Sequence, residues 1–487
     1  STPLYSSAAS DVYKRQDQVH PEGHPLGETL QKLPKAPVGA EVEARDHPDP
    51  PGLGHRLEEG GVGHQEHGGG HDGVADPQHP GDGGLHRGDF TGFKDNRKVE
   101  PDRSLRLAIW EGALSVLFLS WSTGVILTGY ALALGASPQA LALLGGLPFL
   151  AQLLAPLALF LGGSRKSWSL RLNLLSRSLF LPAILAPYLP EAYRVPSLLV
   201  FAGISQLLAA PVGVLWLSWM ADLVPEEKRG RYFGLRNALL GLVATLGNLL
   251  GGAVADHLLP PTGYQAVLLL GVSLGLLALL LLRLQAEPHP PAGPAPLPAL
   301  LSAWKDLSYR RYLSLVLGWY LAVMVGGPYV VPYFLEVGGL SMTQVGLWTV
   351  LSAVSGLFFG PMWGRLADRE GHGKVLFRAG LVAALMPLLW LSGSRAFPWP
   401  IWLAAVADAL AWSGLNTALV NVVLARSPAN LRNGYLALFW LALGLGGLLG
   451  SLLAGQVARI PLGPSPYHLP ILASMALRLL LVRRFRL

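Results

Sequence analysis

Cysteine is absent from all 487 residues, and charge is scarce, with Asp, Glu, Lys and Arg together making only 14%. The first absence excludes a disulfide framework, thiolate metal sites and a cysteine nucleophile, and leaves the redox compartment open. The second sets the chain well below the roughly 25% charge of ordinary soluble domains. In the body of the chain no glycine loop leads into a phosphate-binding lysine, and no helix carries the two histidines and glutamate of a zinc protease. No enzyme constellation is legible, so the chain reads as a non-enzyme with no cofactor and no metal centre. The net charge of +7 points to no nucleic-acid partner, because the basic residues are spread over connectors and form no single patch.

What the chain has in abundance is apolar residues, 51% of the total. They fall into twelve stretches, at roughly 107–134, 140–161, 170–189, 196–220, 234–255, 264–282, 312–335, 343–366, 375–391, 398–424, 434–458 and 466–482, with Arg478 interrupting the last. A helix crossing about 30 Å of hydrocarbon needs about 20 apolar residues, whereas helices of soluble domains average about 11 or 12. The pattern predicts an all-α membrane protein of twelve transmembrane helices, with the lipid bilayer as its solvent.

Residues 1–98 are a different material. They hold nine of the thirteen histidines, much Gly, Pro and Asp, and no hydrophobic period, a composition that cannot offset chain entropy by burial and predicts disorder. Ser1 to Gln16 resembles a translated sequencing-adapter tail, and the first methionine is Met220. An artefactual tail, with Val99 as a candidate start, is therefore one reading of this segment. Metal capture by His64, His67 and His71 is the other.

Alternate connectors differ in charge. One set carries Arg165, Lys166, Lys228, Arg229, Arg231, Arg283, Lys305, Arg310, Arg311, Arg369, Lys374, Arg426, Arg432, Arg483, Arg484 and Arg486, the other only Arg194, Arg395 and Arg459. Positive charge is retained in the cytoplasm during insertion, so both termini are expected there, as an even number of spans also requires. The longest connector contains the proline run Glu287 to Pro298, which forbids continuous helix. Residues 104–284 then form an N-terminal six-helix bundle, 285–309 a cytoplasmic Pro-rich linker and 310–487 a C-terminal six-helix bundle. The halves match at an offset of about 203 or 204 residues: Pro225, Arg229 and Tyr232 with Pro428, Arg432 and Tyr435, Gly241 and Gly247 with Gly444 and Gly450, and Ser137 with Ser341. Duplicated six-span halves are a transporter architecture with the solute site between them.

Across residues 104–487 the chain resembles the major facilitator superfamily. Gly360, Gly364, Asp368, Arg369, Gly371 and Lys374, at the turn from span 8 to span 9, resemble the family's G-x-x-x-D-R-x-G-R-K signature in its second-half copy, with Gly373 where a basic residue is usual. The first-half copy corresponds to Gly162 to Lys166 and lacks the acid. The pseudo-twofold should bring Asp368 to the start of span 5, near Arg229 or Arg231, where a carboxylate gains about 1 kcal/mol from the helix N-terminus and would latch a cytoplasmic gate; a topology determinant only is the alternative. Gly247, Asn248, Gly251 and Gly252 resemble the antiporter signature G-P-x-x-G-G, with Asn248 in place of proline. Plain packing by small residues is the alternative.

Ionised groups at mid-bilayer cost about 2.5 to 3.5 kcal/mol on insertion scales and mark function. Asp408 is about ten residues into span 10, with Trp412 and Asn416 on the same face at i+4 and i+8. It is expected to bind a proton or a cationic solute, or alternatively to pair with Arg177 or another base. Glu111 and Arg177, near the cytoplasmic ends of spans 1 and 3, are further candidates for proton or solute coupling; the alternatives are headgroup-water contact for Glu111 and an architectural role for Arg177, which has Arg378 as a candidate repeat partner. Gly326, Gly327 and Pro328 should break span 7 beyond Trp319 and Tyr320, which are expected to line a cavity with Trp412 and Asn416. The combined expectation is a monomeric secondary active transporter of the bacterial inner membrane, moving a small molecule by alternating access, proton-coupled and directed outward. The alternatives are a cation-coupled importer of sugar or a similar polar solute, and a non-transporting receptor or scaffold with a metal-binding tail.

Overall fold

The computed structural model of the protein describes residues 96–288, 297–428 and 431–485. The histidine-rich segment with His64, His67 and His71 lies outside the described residues. Every regular element among the described residues is helical, and the chain is an all-α membrane protein whose twelve spans form two pseudo-symmetric six-helix bundles. Span 1 is Asn96–Thr123 continued by Val125–Ala133. Spans 2 to 6 are Pro138–Leu154, Arg165–Ile184, Glu191–Leu223, Arg229–His257 and Thr262–Arg283. A short helix, Leu297–Lys305, lies in the connector between the halves. Span 7 begins as Leu307–Gly326, and spans 8 to 12 are Met342–Glu370, His372–Ser392, Trp399–Arg426, Arg432–Val457 and His468–Val482. Ten of these are long and apolar enough to cross a membrane by composition. Span 3 falls short because Arg165, Lys166, Arg171 and Arg177 dilute it, and span 12 because it has only 15 residues.

The repeat is visible in the helix starts. Ser137 and Ser341 cap spans 2 and 8, each 3.3 Å from the backbone N–H three residues on. Gly135 and Gly339, two residues earlier, both turn the chain with positive φ, 81° and 68°. A side chain would strain that left-handed backbone, so glycine recurs at the same place in both halves. The packing repeats too: spans 1·5, 1·6, 2·4, 3·4 and 3·6 of the first half are matched by 7·11, 7·12, 8·10, 9·10 and 9·12 of the second. Between the halves, span 5 packs on span 8 and span 2 on span 11.

Asp306 starts span 7 in the same way, accepting from Tyr309 N at 3.0 Å and from the Tyr435 hydroxyl at 3.1 Å. The Tyr309 N–H, above all, holds its carboxyl below the usual carboxylate range. A lowered folded-state value means that the contribution to stability is complete above the unfolded value, about 3.9, and is lost as pH falls through the folded one. In detergent, Asp306→Asn should therefore unfold at a lower temperature than wild type at pH 7. The gap should narrow towards pH 3, and one that persists undiminished there contradicts the assignment.

The expected break in span 7 is present. After Gly326 the backbone passes through a tight turn at Gly327–Tyr329, a single α-turn at Val330–Pro332 and a wide turn at Tyr333–Val337. Irregular backbone at this depth needs protein cover. Here Pro328 packs on Gly145 of span 2, the Tyr329 hydroxyl donates to Pro138 O at 3.0 Å, and Tyr329 stacks on Tyr467 at 5.6 Å. Span 1 also breaks, at Gly124, which the apolar pattern did not foretell.

Candidate functional site

The two halves touch at one face and part at the other. On the face opposite the basic connectors, a Cβ on Gly252 of span 5 would lie 2.5 Å from Met342 O, and one on Gly346 of span 8 would lie 2.7 Å from Leu249 Cα. Towards the basic connectors the same faces meet nothing among the described residues. Gly241 is three helical turns from Gly252, Gly360 and Gly364 are four and five turns from Gly346, and none of the three has a neighbour within 4 Å of an added Cβ. A crevice thus opens between spans 5 and 8 towards the basic face. The other seam is tighter. A Cβ on Gly444, the repeat equivalent of Gly241, would lie 3.1 Å from Leu153 and 3.2 Å from Phe149 O.

Asp408 lies nine residues into span 10, about 14 Å along its axis from the closed face. It is half-buried, and Oδ2 accepts from Ser352 Oγ of span 8 at 3.0 Å. Trp412 lies one turn on, on the same face of span 10. The Trp412 ring lies 6.5 Å from that of Tyr320 of span 7. Asn416 continues the face and is half-buried. Asp408, Ser352, Trp412 and Tyr320 therefore form one cluster from three spans, joining an acid, a hydroxyl and two aromatic rings. Among the described residues Asp408 has no ion-pair partner within 4 Å. Arg478 of span 12 acts on it only through space, and Arg177 belongs to the other bundle.

Trp319 is a correction. It is fully buried, with its ring 4.9 Å from Phe485 in the core of the second bundle. One residue along a helix turns a side chain by about 100°, so Trp319 and Tyr320 cannot share a face, and only Tyr320 reaches Trp412.

Glu111 and Arg177 do come together, through a hydroxyl that the sequence reading passed over. Ser115 Oγ donates to Glu111 Oε1 at 2.7 Å and accepts from Arg177 Nη2 at 2.8 Å, while Arg177 Nη1 reaches Gly275 O of span 6. Arg236 of span 5, also not singled out beforehand, lies 4.0 Å over the Trp216 ring and bonds Ala108 O at 3.4 Å. All three charged groups are buried. The group ties spans 1, 3, 5 and 6 to one another inside the first bundle. Arg378 is no counterpart of Arg177: it is exposed near the basic face and grips Glu370 through both amino groups at 2.9 Å. The positional equivalent is Arg478, fully buried, whose Nη1 and Nη2 reach Ala383 O at 2.9 Å and Val323 O at 3.2 Å. Spans 1, 3 and 6 and spans 7, 9 and 12 are each pinned by one arginine, carried on span 3 in one bundle and span 12 in the other.

At the turn from span 8 to span 9, Gly371 has φ 88°, and Gly163 has φ 89° at the matching turn of the first half. Both turns need glycine, which explains its place in the signature. Lys374 lies 3.6 Å from Glu370, while Asp368 and Arg369 are exposed. Asp368 does not meet the start of span 5. Arg229 instead pairs with Glu226 at 3.7 Å and donates to Ala221 O at 2.7 Å, and Arg231 is exposed. In the first half, Glu287 of the linker supplies the missing acid: it accepts from Ser164 Oγ at 2.5 Å and Arg165 N at 2.8 Å. The Arg165 side chain pairs with Asp222 at 2.6 Å.

The antiporter-like stretch has a packing role. An added Cβ on Gly247 would strike Leu117, and one on Gly251 would lie 3.1 Å from Trp121 Nε1, which donates to Gly247 O at 3.1 Å. Gly252 faces Met342 across the seam, and Asn248 O lies 3.1 Å from the position of a Cβ on Gly346.

Solved structures share this arrangement. A nucleoside transporter, NupG, superposes with a TM-score of 0.62 at 14% identity, over 79% of this chain and 98% of that one. A D-xylose–proton symporter gives 0.60 at 15%, over 78% and 97%. A bacterial homologue of the human lysosomal transporter Spinster, in an inward-facing and unoccupied conformation, gives 0.56 at 17%, over 81% and 95%. A search of curated proteins found no match. The model of the Major Facilitator Superfamily matches residues 109–451, and with two six-helix bundles around a one-sided crevice, the chain belongs to that superfamily of membrane transporters.

Proposed function

We propose that the protein is a proton-coupled secondary transporter, not an enzyme, which moves a small molecule by alternating access with export as its working direction. The observation that carries this is Asp408, a half-buried carboxylate far from either end of span 10, beside a hydroxyl and two aromatic rings. A carboxylate there is expensive to keep ionised and cheap to protonate, so gaining and losing a proton can be tied to the passage of a solute. The basic connectors support a reading in which the open mouth and both termini face the cytoplasm across an inner membrane. Asp368 then serves the opposite state, closing on the start of span 5 near Arg229 and Arg231 when the mouth shuts. A monomer suffices, since both halves of the pathway lie in one chain.

Uptake of a polar ring compound is a second reading, favoured by the amide of Asn416 and the hydroxyl of Ser352 beside the Trp412 ring. Reconstitution into liposomes with panels of organic cations, sugars and nucleosides separates the two by the sign of the pH gradient that drives accumulation. In the same vesicles Asp408→Asn should abolish gradient-driven accumulation and leave solute exchange without a gradient largely intact. Unchanged gradient-driven transport in that variant would remove Asp408 from coupling.

A further inference from the structure

Span 8 begins at the closed face, and its first turn carries backbone N–H groups with no partner inside the helix. Ser341 caps one of them, the N–H of Gln344, and Gln344 Oε1 returns a bond to Ser341 N at 2.8 Å. The N–H groups of Met342 and Thr343 remain, and they are taken by the other half of the protein. Asp256, one residue before the end of span 5, accepts from Met342 N at 2.9 Å, from Thr343 N at 2.7 Å and from Thr343 Oγ1 at 2.6 Å. One carboxylate thus completes the start of a helix in the opposite bundle, with its charge at the positive end of the helix dipole. These bonds exist only while spans 5 and 8 touch on that face.

The second seam has no such carboxylate. Its repeat equivalent, 203 residues on, is Arg459, and span 2 begins with Pro138, which has no N–H to satisfy. Span 11 meets span 2 there through Ser451 Oγ on Ala142 O at 2.5 Å and through glycine packing. The charged contact is therefore confined to spans 5 and 8, the pair whose other ends carry Asp368 and Arg229.

We infer that Asp256 is a positioning residue of the transport cycle, whose carboxylate holds the face opposite the basic connectors closed by capping span 8 from across the seam. The inference rests on alternating access as proposed above, but not on proton coupling at Asp408. Opening that face breaks three bonds to one charged group, so the capped state is favoured until another contact compensates, and Asp368 at the far end of the same helix pair is placed to provide it.

The absence of cysteine makes the test direct. Gly241→Cys and Gly356→Cys, on spans 5 and 8 where an added Cβ meets nothing within 4 Å, carry spin labels that report the width of the crevice in detergent and nanodiscs. The wild-type background should show mainly the long distance. Asp256→Ala should shift the ratio of long to short distances towards the short by about tenfold, the scale of losing charge-assisted hydrogen bonds. Thr343→Val, which removes only the hydroxyl bond, should shift it less in the same direction. Asp368→Ala should shift it the other way. An unaltered distance distribution in a monodisperse Asp256→Ala protein overturns the inference, as does an unaltered one in Thr343→Val should Asp256→Ala fail to fold. A silent Asp368→Ala alone removes the gate reading and leaves Asp256 in place.

Discussion

Gly450→Val should destabilise the protein by about 3 kcal/mol or more, a large overpacking effect, read as a lowered midpoint of thermal unfolding in detergent. A Cβ at Gly450 of span 11 would strike Leu321 O of span 7 and lie 2.9 Å from both the carbonyl carbon and the Cα of that residue. One turn earlier, a Cβ at Gly446 would strike Leu317 O and lie 3.0 Å from Leu317 C and Cα. The obstacle is backbone, which cannot rotate away as a side chain can, so spans 7 and 11 would have to separate along their length. Gly450→Ala should still cost stability, because the clash outweighs the roughly 1 kcal/mol that helix propensity returns. Gly241→Ala, with open space around it, should gain from propensity and unfold no earlier than wild type. Equal midpoints for Gly450→Ala and Gly241→Ala would refute close backbone contact between spans 7 and 11.

Arg478→Ala is the second large effect, with an expected loss of about 3 to 5 kcal/mol, the range for gutting a buried large side chain or breaking a buried charged contact. The guanidinium reaches the carbonyls of Ala383 in span 9 and Val323 in span 7 and lies 6.0 Å from the Trp390 ring. Alanine leaves a void where three spans meet. Arg478→Met refills much of it and removes a cation whose Nε has no acceptor among the described residues, so it should recover most of the loss. If alanine unfolds at the wild-type temperature, the three spans are held by other contacts. Arg177→Ala and Arg177→Met in the first bundle should follow the same order, because Arg177 binds Gly275 O and Ser115 between the matching spans.

Apolar length and proline are one-dimensional signals, and they made the fold legible: the twelve spans follow from counting apolar residues, and the division after span 6 and the break at Gly326 from proline. The glycine of the signature was legible for the same reason, since a positive φ at Gly371 leaves a local mark in the chain. What pairs across helices leaves none. Ser352 is an ordinary serine in an apolar span until span 10 brings Asp408 to it, and Asp256 is an ordinary end-of-span acid until span 8 arrives. Trp319 went astray because proximity to a helix break suggests exposure, whereas the face of the helix decides it. Asp368 and Arg229 were brought together by the pseudo-twofold alone, which says nothing of the local partners, Glu226 and Ala221 O, that Arg229 takes instead. Arg177 and Arg378 looked equivalent by offset, yet the one lies twelve residues into its helix and the other six.

The contrast between Gly241 and Gly444 bears on how the mouth shuts. At matching depths one seam has already parted while the other still has side chains interleaved. On the alternating-access reading proposed above, spans 2 and 11 would be the hinge edge of a door and spans 5 and 8 its free edge. The swing that this reading predicts is lopsided, with most of the travel on the side where the two carboxylates, Asp256 and Asp368, stand at opposite ends of the same pair of helices.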